Sequence, residues 1–104
     1  MLNEVLKLNA AAAAQGDYEV AYHLLMAALH IADYAKDLAA VERIAQLAKE
    51  QGTGLERLQP PHHLARRQAQ LRGQTAVFDS LITHVDAVRL RLQSDHQRTR
   101  RHPE

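Results

Sequence analysis

Residues 8–29 read Leu8-Asn-Ala-Ala-Ala-Ala-Ala-Gln-Gly-Asp-Tyr-Glu-Val-Ala-Tyr-His-Leu-Leu-Met-Ala-Ala-Leu29: an alanine run, a Gln-Gly-Asp break, and a second run that is apolar over most of its circumference. Ala is the strongest helix former, and Ala10 to Ala14 extend a helical pattern begun by Leu2, Val5, Leu6 and Leu8. Gly16 can take the left-handed position that ends a helix, and Asp17 can cap the next one. The stretch predicts two helices joined by a tight turn, the second running from about Tyr18 to Tyr34. Its polar positions Glu19, His23 and His30 share one narrow stripe, so this helix should be the most buried.

Downstream, Asp37 predicts the cap of a third helix over 38–51, with Val41, Ile44, Ala45 and Ala48 as its apolar stripe and Gly52 as its stop. Residues 53–61, ending in Pro60-Pro61, read as a linker that enters a new helix. From His62 to about Ser94, Leu64, Leu71, Phe78, Val85 and Leu92 recur every seven residues, and Leu81 and Val88 accompany the later ones. Leu71, Phe78, Leu81, Val85, Val88 and Leu92 thus form a seam that is either core or the contact line of a homodimer. This segment either breaks near Gly73, with Thr75 as a new cap, or outruns the bundle. Residues 1–94 are read as one all-α domain, and 95–104 as a flexible basic tail.

The 104 residues include no Cys, which excludes a disulfide framework, a thiol nucleophile and a cysteine zinc site. The start lacks a basic segment followed by a continuous apolar one, and the longest apolar-rich run, Val20 to Ala32, is too short to cross a membrane, so a cytoplasmic location is expected. The net charge of +1 conceals −3 over residues 1–55 and +4 over 56–104.

The pattern V-x-x-[LI]-x-x-x-A-x-x-Q-G occurs twice, from Val5 to Gly16 and from Val41 to Gly52. Helical-hairpin repeats have periods in this range, because one hairpin cannot bury its own apolar face. With Gly16-Asp17-Tyr18 at the turn, Ala21 in the second helix and Ala28-Leu29 near its end, residues 2–34 resemble a tetratricopeptide repeat (TPR), and 38–51 the first helix of another. The resemblance implies antiparallel hairpins and a concave peptide-binding face; with fewer than three repeats present, the C-terminal segment is expected to cap the array, or to dimerise through its sevenfold seam. The resemblance places Asn3, Leu6, Ala10 and Ala13 on that face, together with Ala39, Glu42, Gln46 and Lys49. Two departures stand out: Asp33 occupies the family's helix-ending Pro position, and Gly54 and Pro60-Pro61 interrupt the second repeat. Leu6 and Ala10 also stand where some members carry the Lys and Asn that clamp a peptide carboxylate.

Seven His invite a metal or acid–base reading, but no two lie three or four apart as helical ligand pairs do. Arg57 with His62, and Arg91 with His96, match the loose Arg-to-His spacing of HEPN ribonucleases, in which Arg would hold phosphate and His would move a proton. Arg66, Arg67 and Arg72 give the second half a basic character that nucleic acid would favour, but Phe78 is the only aromatic there for base stacking. The reading is a non-catalytic protein-interaction or assembly module without metal or cofactor. Its partner is another protein, a second copy of the chain being one candidate. A nucleic-acid-associated regulator and a small HEPN-like ribonuclease are the alternatives.

Overall fold

The computed structural model describes the backbone of residues 1–101 and the side chains through Arg98. Five helices form in chain order: α1 (Leu2–Ala14), α2 (Tyr18–Tyr34), α3 (Leu38–Leu58), α4 (Arg66–Leu71) and α5 (Val77–Arg101). The described residues contain no strand, so the fold is all-α.

Three of the four connections begin with the same turn chemistry. After α1, Gly16 adopts φ 76°, its N–H reaching the Ala13 carbonyl and that of Asp17 the Ala12 carbonyl. After α2, Lys36 does the same at φ 55° towards Asp33, followed by Asp37 towards Ala32. After α4, Gly73 repeats it at φ 69° towards Gln70, followed by Gln74 towards Ala69. This pair of bonds satisfies carbonyls that a helix end leaves free. Asp17 and Asp37 then cap α2 and α3 by accepting from the N–H groups of Val20 and Ala40.

These tight turns make α1 antiparallel to α2, and α2 antiparallel to α3. Helix α5 starts beside the end of α3, where Phe78 meets Gly52, and runs back until Leu92 lies beside Leu38. The result is two layers, α1 with α3 and α2 with α5, in a slab whose Cα atoms span 55 × 30 × 17 Å. Between the layers lies a core built on Leu25, Leu29, Val41, Ile44, Leu55, Phe78, Leu81 and Val85.

The structure changes four sequence expectations. First, α3 does not stop at Gly52; it continues to Leu58, so most of the expected 53–61 linker is helix. Gly52 and Gly54 are kept for close approach, since an added Cβ would lie 3.2 Å from Phe78 Cβ and 2.9 Å from the Tyr18 hydroxyl respectively. The helix ends only where Pro60 drives Gln59 out of the α region, to φ −137°. Second, the 62–94 segment does break at Gly73, but α5 opens on Ala76, whose carbonyl accepts from Ser80, and not on Thr75. Third, Phe78, Leu81, Val85, Val88 and Leu92 are already buried within a single chain, whereas Leu71, isolated from them by the Gly73 turn, is 72% exposed. The sevenfold seam is therefore core, and its apparent extension to Leu71 ends at that turn. Fourth, residues 95–101 of the expected tail continue α5 as helix, and 102–104 lie outside the described residues.

Candidate functional site

The packing of α1 on α3 is fixed by two buried amides. Asn9 Nδ2 donates to the Ala21 carbonyl at 2.7 Å and to Gln51 Oε1 at 3.1 Å, while Gln51 Nε2 donates back to Asn9 Oδ1 at 2.7 Å. Both side chains are buried, at 0% and 7% exposure, so each needs the other to satisfy its polar atoms. Gln59 adds a clasp at the far end by donating to the Gly16 carbonyl at 3.0 Å.

Above this amide pair, α1 and α3 leave an open cleft of about 250 Å³ lined by Asn3, Leu6, Lys7, Ala10 and Arg43. A shallower depression continues along α3, lined by Gln46, Lys49, Glu50, Thr53, Gly54 and Arg57. Of the positions expected on the inward face, Asn3, Leu6 and Ala10 meet in the cleft, although Leu6 is only 8% exposed and contributes little surface. Gln46 and Lys49 line the depression; Glu42 and Ala39 are exposed beside it, and Ala13 is half-buried. Sequence reading did not place Lys7, Arg43 or Arg57 on this face, and considered Arg57 only as a partner of His62. The signal was present in the α3 periodicity, because Arg43, Glu50 and Arg57 recur every seven residues, opposite the buried stripe.

Lys7, Arg43, Lys49 and Arg57 make no hydrogen bond or ion pair; among the described residues outside this face, only Lys36 and Arg67 are cations in the same state. Glu42 is the acidic side chain there without a partner, and Glu50 accepts from Gln46 at 3.1 Å. The depression and cleft together therefore present an excess of unpaired positive charge, three of its four cations coming from the half of the chain whose net charge is negative. The acids of that half are used elsewhere: Asp17 and Asp37 cap helices, Asp33 bonds Arg91, and Glu19 faces His63.

The arginine-rich second half has the opposite state. Arg66 pairs in two-pronged fashion with Asp79 at 2.8 Å, holding that carboxyl below the usual carboxylate range and raising its own guanidinium. Arg72 donates to the His63 carbonyl, Arg89 pairs with Asp86, and Arg91 reaches Asp33 on α2 at 2.7 Å. Of the trio Arg66, Arg67 and Arg72, only Arg67 is unengaged.

The histidines are placed by packing. His62 and His63 stack with ring centroids 4.6 Å apart; His63 Nε2 lies 3.3 Å from Glu19, and His62 Nδ1 accepts from the Leu64 N–H. Burial, and then the neighbouring His63, hold the His62 pKa below its ordinary value, against the opposing pull of Glu19 and Asp17. His62 is thus engaged locally, while Arg57 projects from α3 into the open depression. Arg91 is committed to Asp33, and His96 lies beside Lys36, Leu38, Leu92 and Asp95. Among the described residues no three His, Asp or Glu gather as a metal site would require, and no helix is long and apolar enough to cross a membrane.

Fold and site together define a small all-α chain built from packed helical hairpins. No protein-family model, curated protein or solved structure matches it.

Proposed function

We propose that this chain is a non-catalytic protein-interaction module of TPR-like type, whose α1/α3 face takes an acidic segment of a partner protein. The observation that carries the reading is the set of unpaired cations, Lys7, Arg43, Lys49 and Arg57, along one cleft and its continuation. Exposed cations left without partners steer an oppositely charged ligand and disfavour a like-charged one. Arg43 and Arg57 are fourteen residues apart on a helix, roughly 20 Å at 1.5 Å per residue, which an extended segment of about six or seven residues would cover. The small side chain of Ala10 lets a backbone approach α1. The TPR-like reading rests on the hairpin packing and on the twice-occurring V-x-x-[LI]-x-x-x-A-x-x-Q-G pattern. The proposal includes the cytoplasmic location expected from the sequence.

Fluorescence anisotropy with a labelled, extended Asp/Glu-rich peptide tests it. Binding should weaken as salt rises, and Lys7→Glu or Arg43→Glu should each weaken it about tenfold, roughly 1.4 kcal/mol. Arg67→Glu, on α4, should leave it unchanged. Failure to bind at low salt, or equal loss with Arg67→Glu, contradicts the reading. A single-stranded RNA probe serves as competitor: RNA binding that depends on Arg66, Arg67 and Arg72 would favour the nucleic-acid alternative.

A further inference from the structure

The two ends of the helix stack differ in chemistry. At the α3/α5 end, the start of α4 is tied to the tip of that hairpin: the Arg66 N–H donates to Glu56 near the end of α3 at 2.8 Å, and the Arg66 guanidinium pairs with Asp79 near the start of α5. Farther along, α5 presents the Asp86–Arg89 ion pair. Leu90, on the same helix, is 64% exposed, so this end mixes charge with a large apolar side chain.

The outer flank of α2, at the α1/α2 end, has none of these charges. The flank of α2 turned towards α5 is fixed by Tyr22 on Phe78, His30 beside His84 and Asp33 bonded to Arg91. Its opposite flank carries Val20, Leu24, Ala27, Ile31 and Tyr34, spaced four, three, four and three apart, the spacing of a helix that packs along a second helix. Val20 is 45% and Tyr34 93% exposed. On α1, the flank turned away from α3 carries Leu8, 58% exposed. Leu8 aligns with Ile44 in the internal repeat, and Ile44, which does have a hairpin before it, is fully buried. The α1/α2 end therefore has the residues of a hairpin-to-hairpin contact and no hairpin on it.

We infer that a second copy of this chain covers that end, α2 meeting α2 about a two-fold axis near Ala27. The α2 stripe carries no charge for a different partner to read. The α5 face carries the Asp86–Arg89 ion pair, a poor match for that stripe, whereas the stripe matches itself, which favours the closed, like-to-like arrangement. Ala27, the smallest residue of the stripe, sits at its centre, where two crossing helices come closest. The area is adequate: the 17 residues of α2 are about 25 Å long, and a helix pair is about 20 Å wide, giving a flat footprint of roughly 500 Å² per copy. A ridged surface exceeds its footprint, which brings the contact towards the ~600–800 Å² per partner of the smaller stable interfaces. The α1/α3 cleft uses the other flank of α1, so both clefts stay open in the dimer.

Light scattering across a micromolar concentration series tests this in the full chain. The unaltered protein should show twice its 11.7 kDa mass, and Ala27→Glu, at an exposed helical position, should give a monomer with unchanged helical circular dichroism. Because the chain contains no Cys, Ala27→Cys should crosslink to a covalent dimer under mild oxidation, whereas Ser80→Cys, exposed on α5, should not. A monomer throughout, species that grow without limit, a dimer indifferent to Ala27→Glu, or no Ala27→Cys crosslink would each overturn the proposal.

Discussion

Asn9 and Gln51 illustrate how a single polar residue can hold two helices in register. Removing Asn9 leaves the Gln51 amide and the Ala21 carbonyl short of partners in the interior, so Asn9→Ala should cost about 2–3 kcal/mol in urea unfolding. The Asn9→Ala, Gln51→Ala pair should cost less than the sum of its parts, because the second change removes a group already orphaned by the first. Lys36 carries a smaller strain, since a side chain at φ 55° is disfavoured and this one is exposed; Lys36→Gly should raise stability by about 0.5–1 kcal/mol. His62 supplies a pH dependence whose sign follows from its lowered pKa. The unfolded chain takes up its proton first, near the ordinary value of about 6.5, so the folded state loses stability as pH falls below that point. Urea midpoints at pH 7.5 and 5.5 should therefore differ more for the native chain than for His62→Asn, which keeps an acceptor for the Leu64 N–H. At this scale the local chemistry was legible and the distant chemistry was not. Asp17 and Asp37 announced themselves as caps because their partners lie three residues away, whereas Asn9 finds Gln51 forty-two residues on.

Helix α3 shows why glycine alone does not end a helix. Gly16 and Gly52 occupy equivalent places in the repeated pattern, yet Gly16 ends α1 in a left-handed turn while Gly52 sits inside α3 against Phe78. What decides is tertiary contact: the Phe78 ring and the Tyr18 hydroxyl need the space that a Cβ would fill. Gly54→Ala consequently forfeits the gain of about 1 kcal/mol that alanine brings to a helix interior, and should be neutral or destabilising in thermal unfolding. In a Tyr18→Phe background, which removes the oxygen 2.9 Å from the added methyl, the same change should become stabilising relative to that background. Helix α5 misleads in another way. Its sevenfold pattern is genuine from Phe78 to Leu92, but Leu71 belongs to α4, and the turn at Gly73 swings it out of line. Periodicity identified the buried face and could not reveal that α3 and α2, within the same chain, already cover it.

At the scale of the whole molecule, charge is where sequence and structure diverge most. The half of the chain with a net negative charge folds to present unpaired cations, because Asp17 and Asp37 serve as caps and Asp33 and Glu19 face groups of the other half; in the half with a net positive charge, Arg66, Arg89, Arg91 and Arg98 are held in ion pairs. Hydropathy and turn residues were enough to read an all-α hairpin protein, and the repeat resemblance named Asn3, Leu6 and Ala10, which line one cleft. That Lys7, Arg43 and Arg57 stand unpaired on one face emerged only once the pairing of the other charges was known. The central claim, that these residues recruit an acidic partner segment, is tested most directly by a ¹⁵N–¹H correlation titration of the full chain with an Asp/Glu-rich peptide of about seven residues at low ionic strength. The account predicts saturable shifts confined to Asn3–Ala10 and Arg43–Arg57, lost in Arg43→Glu. Shifts centred on α4 and α5, or none on the α1/α3 face, would contradict it.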